Sequence, residues 1–505
     1  MRILSLSNKQ AERYFWTFFL AFHAVQFFLV LVNPFSLSGD ESHYWQWSKS
    51  LDISYYSKGP LMAYLISAST SLFGDTEFAV RAPALLCSVL TSLVLYSGLK
   101  VVSGAQAALL TFILIRTSVF FFTLGLFMTS DPPAILFWLG SLVLSYKAVT
   151  EDKQISWVLA GLCAAVAVLS KYTALVIFPS LLFFLLFTPA LRKHILSLGF
   201  IVGALLSFAG LIPTIFWNMK NSWVNFSHNA GHVVSQKGFA LKLKYLPELL
   251  GGQIGLIGPL LFVILVWSLV IGLKKWREGD SIAGLFVSFC LPLLVVCLGV
   301  SLGKRVYANW PMPLWLSLFF LFSYLVSSFK EQRESTLFKK ILKPSIYLNS
   351  FLCLVCALLF MGVTFGLPVK VLTTKKLAGW SELGAHVAKV QQEIDKESVI
   401  IADSYELASS LSFYMPNRPK TYCGVFGGRR MNQFDVWAGW DEIKGKNAII
   451  VLKITENQDY LSEYFDSVRP LERDFDVYYA GENFKSFKLF YGLNYNGKYK
   501  SPASF

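Results

Sequence analysis

Between two strongly apolar stretches lies a polar island, Gly39-Asp40-Glu41-Ser42-His43-Tyr44-Trp45, which runs on to Tyr55-Tyr56-Ser57-Lys58-Gly59-Pro60. Adjacent carboxylates just past the end of an apolar span are costly beside lipid unless something uses them. A carboxylate can take a proton from a reacting hydroxyl, and a nearby lysine can hold an anion. The aromatics around them suit the depth of lipid headgroups. The combination reads as an active site at a membrane surface.

The rest of the chain has to hold that island at an interface. The sequence is 54% hydrophobic and 15% charged, with a mean hydropathy of +0.52. Apolar runs of about twenty residues recur through its first three quarters, which predicts a polytopic α-helical membrane protein and excludes a soluble enzyme. The formal charge of +14 does not call for nucleic acid. Much of the excess Lys and Arg sits in short loops between apolar runs, where it orients helices. Of the seven cysteines only Cys423 lies in the polar C-terminal region, so no disulfide can form within that region. Cys353-x-x-Cys356 is flanked by Leu and Val and reads as packing, not as a metal or redox pair.

Arg2, Lys9 and Arg13 precede an apolar run over 14–32 with no small-residue cleavage site after it, which predicts a retained first helix and a cytoplasmic N-terminus. Further spans are expected at roughly 78–99, 104–126, 132–147, 155–170, 172–188, 195–217, 251–273, 281–301, 307–328 and 344–366, about eleven in all. The two that flank Ser170-Lys171-Tyr172 barely reach crossing length. Loops then predicted inside carry Lys100, Lys147, Lys153, Arg192, Lys193, Lys274, Lys275 and Arg277, followed by Lys330, Arg333, Lys339, Lys340 and Lys343. The outer side receives the first loop, the Met128–Pro133 turn, Ser170-Lys171-Tyr172, loop 218–250 and Gly303–Trp310.

Within the first loop, Glu41 to Leu51 and Pro60 to Leu72 are expected to form short helices lying on the membrane. The division expected is a transmembrane domain over 1–375 and an extracytoplasmic α/β domain over 376–505. In the latter, helices are predicted over 380–394 and 405–414 and strands over 398–402 and 448–452, ahead of a polar, aromatic tail. Gly427-Gly428-Arg429-Arg430 lacks phosphate-loop spacing and reads as a surface turn.

Several segments occur in a telling order: Asp40-Glu41 with Tyr44 and Trp45; Tyr56-Ser57-Lys58-Gly59-Pro60-Leu61; Phe73-Gly74 followed by Phe78-Ala79-Val80-Arg81; Thr129-Ser130-Asp131-Pro132-Pro133; Leu169-Ser170-Lys171-Tyr172-Thr173; Pro213-Thr214-Ile215-Phe216-Trp217-Asn218; and Tyr307-Ala308-Asn309-Trp310-Pro311. Together they resemble the bacterial branch of the protein O-mannosyltransferase family, which includes the lipid A aminoarabinose transferases and shares the GT-C membrane glycosyltransferase fold. Gly379-Trp380-Ser381-Glu382-Leu383-Gly384 and Asn432-Gln433-Phe434-Asp435 are similar to the soluble domain of that branch.

The resemblance implies a transferase of the bacterial inner membrane that moves a sugar from a polyprenyl-phosphate carrier to an outer-face acceptor: lipid A, another envelope glycan or a protein. Asp40 is then the candidate base, with Glu41 and Asp131 as the other candidate catalytic carboxylates. The leaving phosphate calls for fixed cations, Lys58 first and then Lys171, Arg81, Lys304 and Arg305. Tyr44, Tyr56, Tyr172 and Asn309 are candidate substrate contacts.

Simpler roles compete with each of these. Asp40 or Asp131 can act as a helix N-cap, Lys171 and the Lys304-Arg305 pair can reach toward headgroups, and Arg81 can form a structural ion pair. No cofactor is expected. A divalent metal on His228 and His232 with His43 or a carboxylate is the alternative, although the acidic ligand of zinc-binding members falls on Ser57 here. A transporter or flippase for a lipid-linked sugar is the competing class, but it would more often place charged or broken helices at mid-membrane.

Overall fold

The computed structural model describes residues 3–499 except 33–34, 234–240, 328–337, 362–376, 425–430, 438, 454–458, 472–473 and 480–481. The turn expected at Gly427–Arg430, the domain boundary at 375/376, part of loop 218–250 and the loop cations Lys330 and Arg333 therefore lie outside the described residues.

The N-terminal part is a helical bundle whose side chains face either the core or lipid. Helix α1 (Asn8–Val32) shows why the sequence runs apolar all the way round. Ala11, Phe15, Phe22, Leu29 and Val30 pack inward, while Trp16, Leu20, Phe28 and Leu31 stay exposed on the opposite face. Among the described residues, seven helices are long and apolar enough to cross a membrane, and four shorter apolar helices of 10–17 residues accompany them. Each expected span has a helical counterpart, but 155–170, 172–188 and 307–328 correspond to the shorter helices Gln154–Ser170, Tyr172–Leu186 and Met312–Ser327. Length alone therefore does not establish eleven crossings.

The spans expected at 78–99 and 104–126 are joined without a loop in Glu77–Arg116, which breaks at Gly104 (φ 81°, ψ 167°). That backbone region is closed to most side chains, so glycine is what lets the chain reverse there. Close helix packing uses glycine too. A Cβ on Gly161 would lie 2.1 Å from the Gly203 carbonyl oxygen, which brings helices Gln154–Ser170 and Leu198–Ala209 into backbone contact.

Both helices expected in the first loop form, but Tyr44, Trp45 and Trp47 are buried in protein contacts that include Phe413 of the C-terminal domain and do not face lipid headgroups. Helix α2 (Gly39–Ser48) begins at an N-cap that is Ser38, not Asp40. The Ser38 hydroxyl accepts from the Glu41 N–H, and the Glu41 carboxylate accepts from the Ser38 N–H at 2.9 Å, a reciprocal capping box. Helix α3 (Leu61–Phe73) starts from Pro60.

The C-terminal domain is a mixed sheet with helices against it. Strand β1 (Val399–Ala402) lies between β2 (Thr421–Cys423) and β3 (Ala448–Lys453), parallel to both, with Ile400 opposite Ile449. The stretch expected as a tail is largely β6 (Glu482–Tyr495), a long strand antiparallel to β3, β4 (Phe465–Pro470) and β5 (Phe475–Tyr479). Helices Trp380–Ile394 and Tyr405–Tyr414 complete the domain. Trp380, Leu383, Val387 and Val390 form the buried stripe of the first. The second lies on α2, where Phe413 packs edge-on to Trp45 at 5.0 Å.

Candidate active site

Neighbouring residues on a helix point about 100° apart, so Asp40 and Glu41 cannot share an environment. Glu41 is fully buried and pairs with the equally buried Arg81, which donates from Nε to Oε1 at 3.0 Å and from a terminal nitrogen to Oε2 at 3.2 Å. Arg81 also donates to the carbonyls of Phe35 and Ser36, and Glu41 accepts the Met128 N–H at 3.1 Å. This pair therefore ties α2, the chain entering it, the helix starting at Glu77 and the 128 turn into one knot. Asp40 is exposed and accepts a hydrogen bond from the Tyr405 hydroxyl at 3.0 Å.

A second knot forms where Pro132-Pro133 open helix Asp131–Glu151. Ser130, not Asp131, holds the cap position, so the Asp131 carboxylate is directed to other partners. Lys171 Nζ donates to Asp131 Oδ1 at 2.6 Å and to the Asn309 carbonyl at 3.1 Å, and Asn309 Nδ2 donates to Asp131 Oδ2 at 2.7 Å. Asp131 and Lys171 are both buried. Three residues picked out separately from the sequence thus form one ring of contacts. Tyr44 is buried on α2, its ring edge-on to Trp47 at 5.0 Å. Burial holds its phenol well above the usual tyrosine range, and the charges of Asp40 and of Asp131 push it the same way. A neutral Tyr44 hydroxyl therefore lies within reach of both carboxylates' fields.

Lys58 sits on a tight loop. The Tyr55 N–H and the Ser54 hydroxyl both donate to the Lys58 carbonyl, at 3.1 and 3.3 Å. Gly59 fixes where the loop rests, because a Cβ there would be 2.2 Å from the Leu169 carbonyl oxygen. This presses the loop onto the end of helix Gln154–Ser170, two residues before Lys171, while the Ser170 hydroxyl donates to the Ser130 carbonyl at 2.8 Å. The Lys58 loop, Lys171 and Asp131 are thereby brought to one end of the bundle. Asn225 supports the loop through the Tyr55 carbonyl at 2.6 Å, and Thr214 lies between Ser54 and the Tyr172 hydroxyl. Tyr56 is buried, its ring 4.7 Å from His228 and its N–H donating to Gln433 of the C-terminal domain at 2.6 Å.

The remaining candidates are less central. Lys304 donates to the Gly231 carbonyl, and Arg305 pairs with Glu248 through largely exposed side chains. His228 and His232 face each other at 3.3 Å between their Nε2 atoms. Among the described residues no His, Cys, Asp or Glu joins them to make a group of three that could hold a metal. His43 is elsewhere: its Nδ1 meets the Ser409 hydroxyl at 3.0 Å and its ring stacks on Phe434. Burial lowers the His43 imidazole to about 3, so it is neutral at working pH.

Sequence reading did not find Tyr405, Ser409, Tyr414 or Gln433, all contributed by the C-terminal domain. Tyr405, Ser409 and Tyr414 lie in the helix expected over 405–414 without being site candidates, and Gln433 lies in Asn432-Gln433-Phe434-Asp435, which carries part of the resemblance.

A model of the family described as dolichyl-phosphate-mannose-protein mannosyltransferase matches residues 57–217. The chain is 27% identical over 288 residues to the lipid A galacturonosyltransferase RgtD of Rhizobium johnstonii, covering 55% of this chain and 58% of that protein. It is 25% identical over 385 residues to the undecaprenyl phosphate-alpha-4-amino-4-deoxy-L-arabinose arabinosyl transferase of Serratia proteamaculans, covering 70% of this chain and 66% of that one. The matched stretches thus span 58% and 66% of those relatives' lengths. Among solved structures, ArnT from Cupriavidus metallidurans superposes with a TM-score of 0.65 in the apo state and 0.62 bound to undecaprenyl phosphate, at 15% identity in both cases. The apo match covers 95% of this chain and 98% of that one, and the bound match 94% and 97%. The likeness shows that this multi-pass membrane protein has the GT-C fold.

Proposed function

We propose that the protein is a membrane glycosyltransferase moving a sugar from a polyprenyl-phosphate carrier to lipid A, a reading supported by the match of residues 57–217 to the dolichyl-phosphate-mannose-protein mannosyltransferase model. The observation that supports this reading is the exposed Asp40 carboxylate together with the buried Asp131–Lys171 pair and its Asn309 partner, at the end of the bundle where the Lys58 loop rests, with the charges of both carboxylates acting on Tyr44. The names of the relatives supply the substrate classes: lipid A as acceptor, undecaprenyl phosphate as carrier, and a galacturonosyl or aminoarabinosyl unit as the transferred sugar.

In this reading Asp40 takes the proton of the acceptor hydroxyl as its oxygen bonds to the anomeric carbon. The bond from that carbon to the carrier phosphate breaks, and the phosphate leaves with its electron pair. Lys58 stabilises the growing negative charge. Lys171 is already paired with Asp131, so that ring acts as a fixed polar floor under the sugar, with the neutral Tyr44 hydroxyl as a donor toward it. Glu41 and Arg81 hold the frame, and Arg305 stands apart from the reaction. His228 packs against Tyr56 and His232 against His228, Tyr307 and Trp310, and no step of this reading requires a metal.

The test is transfer by the reconstituted full-length protein from undecaprenyl phosphate carrying 4-amino-4-deoxy-L-arabinose or galacturonic acid to lipid A. Transfer from one of them is expected. Lys58→Ala should lose a charge-assisted contact worth roughly 1.5–3 kcal/mol, lowering donor affinity and kcat together. Lys58→Arg should restore only part of that, because a planar fork does not replace a compact ammonium in a tight site. An alanine variant equal to the parent in both would move the phosphate site to Lys171 or Lys304.

The orientation belongs to the same proposal: an inner-membrane protein of about eleven crossings, with its N-terminus inside and the domain over 376–505 outside. Cys423 is fully buried and so silent toward thiol reagents, whereas Lys389 is exposed. A membrane-impermeant maleimide should label Lys389→Cys in intact spheroplasts and leave the parent unlabelled. Labelling only after lysis would reverse the topology.

A further inference from the structure

The C-terminal domain reaches the reacting carboxylate itself. Its helix Tyr405–Tyr414 runs along α2 and meets it at several levels. The Tyr405 hydroxyl donates to Asp40 Oδ1 at 3.0 Å. Ser409 contacts His43 Nδ1 at 3.0 Å and donates to Gln46 Oε1 at 2.9 Å. The Tyr414 hydroxyl accepts the Leu37 N–H at 2.6 Å and bonds Glu77. The approach leaves no room for a side chain on Gly39, whose Cβ would lie 2.7 Å from the Glu406 Cβ. The ring of Tyr405 is also held by packing on His43, with centroids 4.8 Å apart, so its position does not depend on the hydrogen bond alone.

We infer that Tyr405 is a positioning residue for the transfer, its hydroxyl holding Asp40 ionised and turned toward the acceptor, so that docking of the C-terminal domain completes the active site. This rests on the reading of Asp40 as the base. A phenol that donates to a carboxylate favours the charged form and fixes its rotamer. Among the described groups, Glu406 follows Tyr405 on the same helix, the charge of Asp131 acts on Tyr44 together with that of Asp40, and Tyr44 and His43 on α2 are uncharged. Burial, followed by the charge of Asp40, holds the Tyr405 phenol far above its ordinary range, so it remains a donor at any working pH.

Tyr405→Phe keeps the ring and removes the donor. Transfer by the full-length protein should fall about tenfold, and the acid limb of kcat/KM against pH should move to higher pH, because Asp40 then gains its proton more easily. Binding of undecaprenyl phosphate should not change. 3-Fluorotyrosine at 405, nearly isosteric and a stronger donor, should move the same limb to lower pH, which keeps the test available if the phenylalanine variant folds poorly. In an Asp40→Asn background, Tyr405→Phe should cost nothing more. Parental rate and pH profile in Tyr405→Phe beside an inactive Asp40→Asn would overturn the positioning role and leave the proposed base standing. An additive loss in the double variant would also overturn it. Parental turnover in Asp40→Asn would sink both.

Discussion

Asp40→Asn is expected to cut transfer by about 10²–10⁴-fold while undecaprenyl phosphate binds as in the parent. Three observations combine in this expectation. Asp40 does not cap α2, since Ser38 does, so the substitution leaves the helix start intact. It is exposed, whereas Glu41 beside it is sealed against Arg81, so Asp40 is the member of the pair that an acceptor can reach. An asparagine also keeps the shape and can still meet the Tyr405 hydroxyl, which confines the change to proton affinity. Single-turnover transfer from a saturating donor reads the loss directly. Turnover within a few-fold of the parent would give Asp40 a structural role and would require another base.

The second large effect is on stability. Arg81→Ala should destabilise the protein by roughly 3–5 kcal/mol, because it leaves the Glu41 carboxylate buried without its cation. Glu41→Gln should cost less, since an amide oxygen can still accept the Ser38 N–H that closes the capping box. Replacing both at once, Arg81→Met with Glu41→Leu, should recover part of the loss from Arg81→Ala, as expected when an uncompensated charge is the main penalty. Thermal unfolding in detergent, with chromatographic dispersity as the control, distinguishes these variants. If Arg81→Ala unfolds with the parent and loses only donor affinity, Arg81 is a phosphate ligand instead.

The sequence carried the scaffold because the bilayer and the buried sheet both demand long apolar runs. The crossings over 8–32 and 281–301 and the strands at 399–402 and 448–453 were legible in that way. The turn between the spans at 78–99 and 104–126 was legible from Lys100 and the polar residues around it, but not that it would be made at Gly104 within one continuous helical stretch and without a loop. β6 read as a tail because part of it alternates, with Phe487 and Leu489 buried and Lys488 between them partly open, and alternation lowers the mean hydropathy that marks a buried strand.

At the site, the carboxylates and lysines were visible as unexpected charge at span ends, but their pairing was not. The resemblance pointed to Asp40 as the base, but the residues alone did not tell which of Asp40 and Glu41 turns inward, and Arg81, forty residues away in the chain, decides it. Ser38-x-x-Glu41 was a readable capping box, and it already argued against Asp40 as the cap. Tyr405 gave no signal at all, since it reaches Asp40 across 365 residues of chain.

The most direct measurement of the central claim is the mass spectrum of lipid A from a strain lacking this gene. The account predicts the loss of a single sugar mass, restored by the parent gene and not by Asp40→Asn expressed to the same level in the membrane. Lipid A with an unchanged set of sugar masses would contradict it.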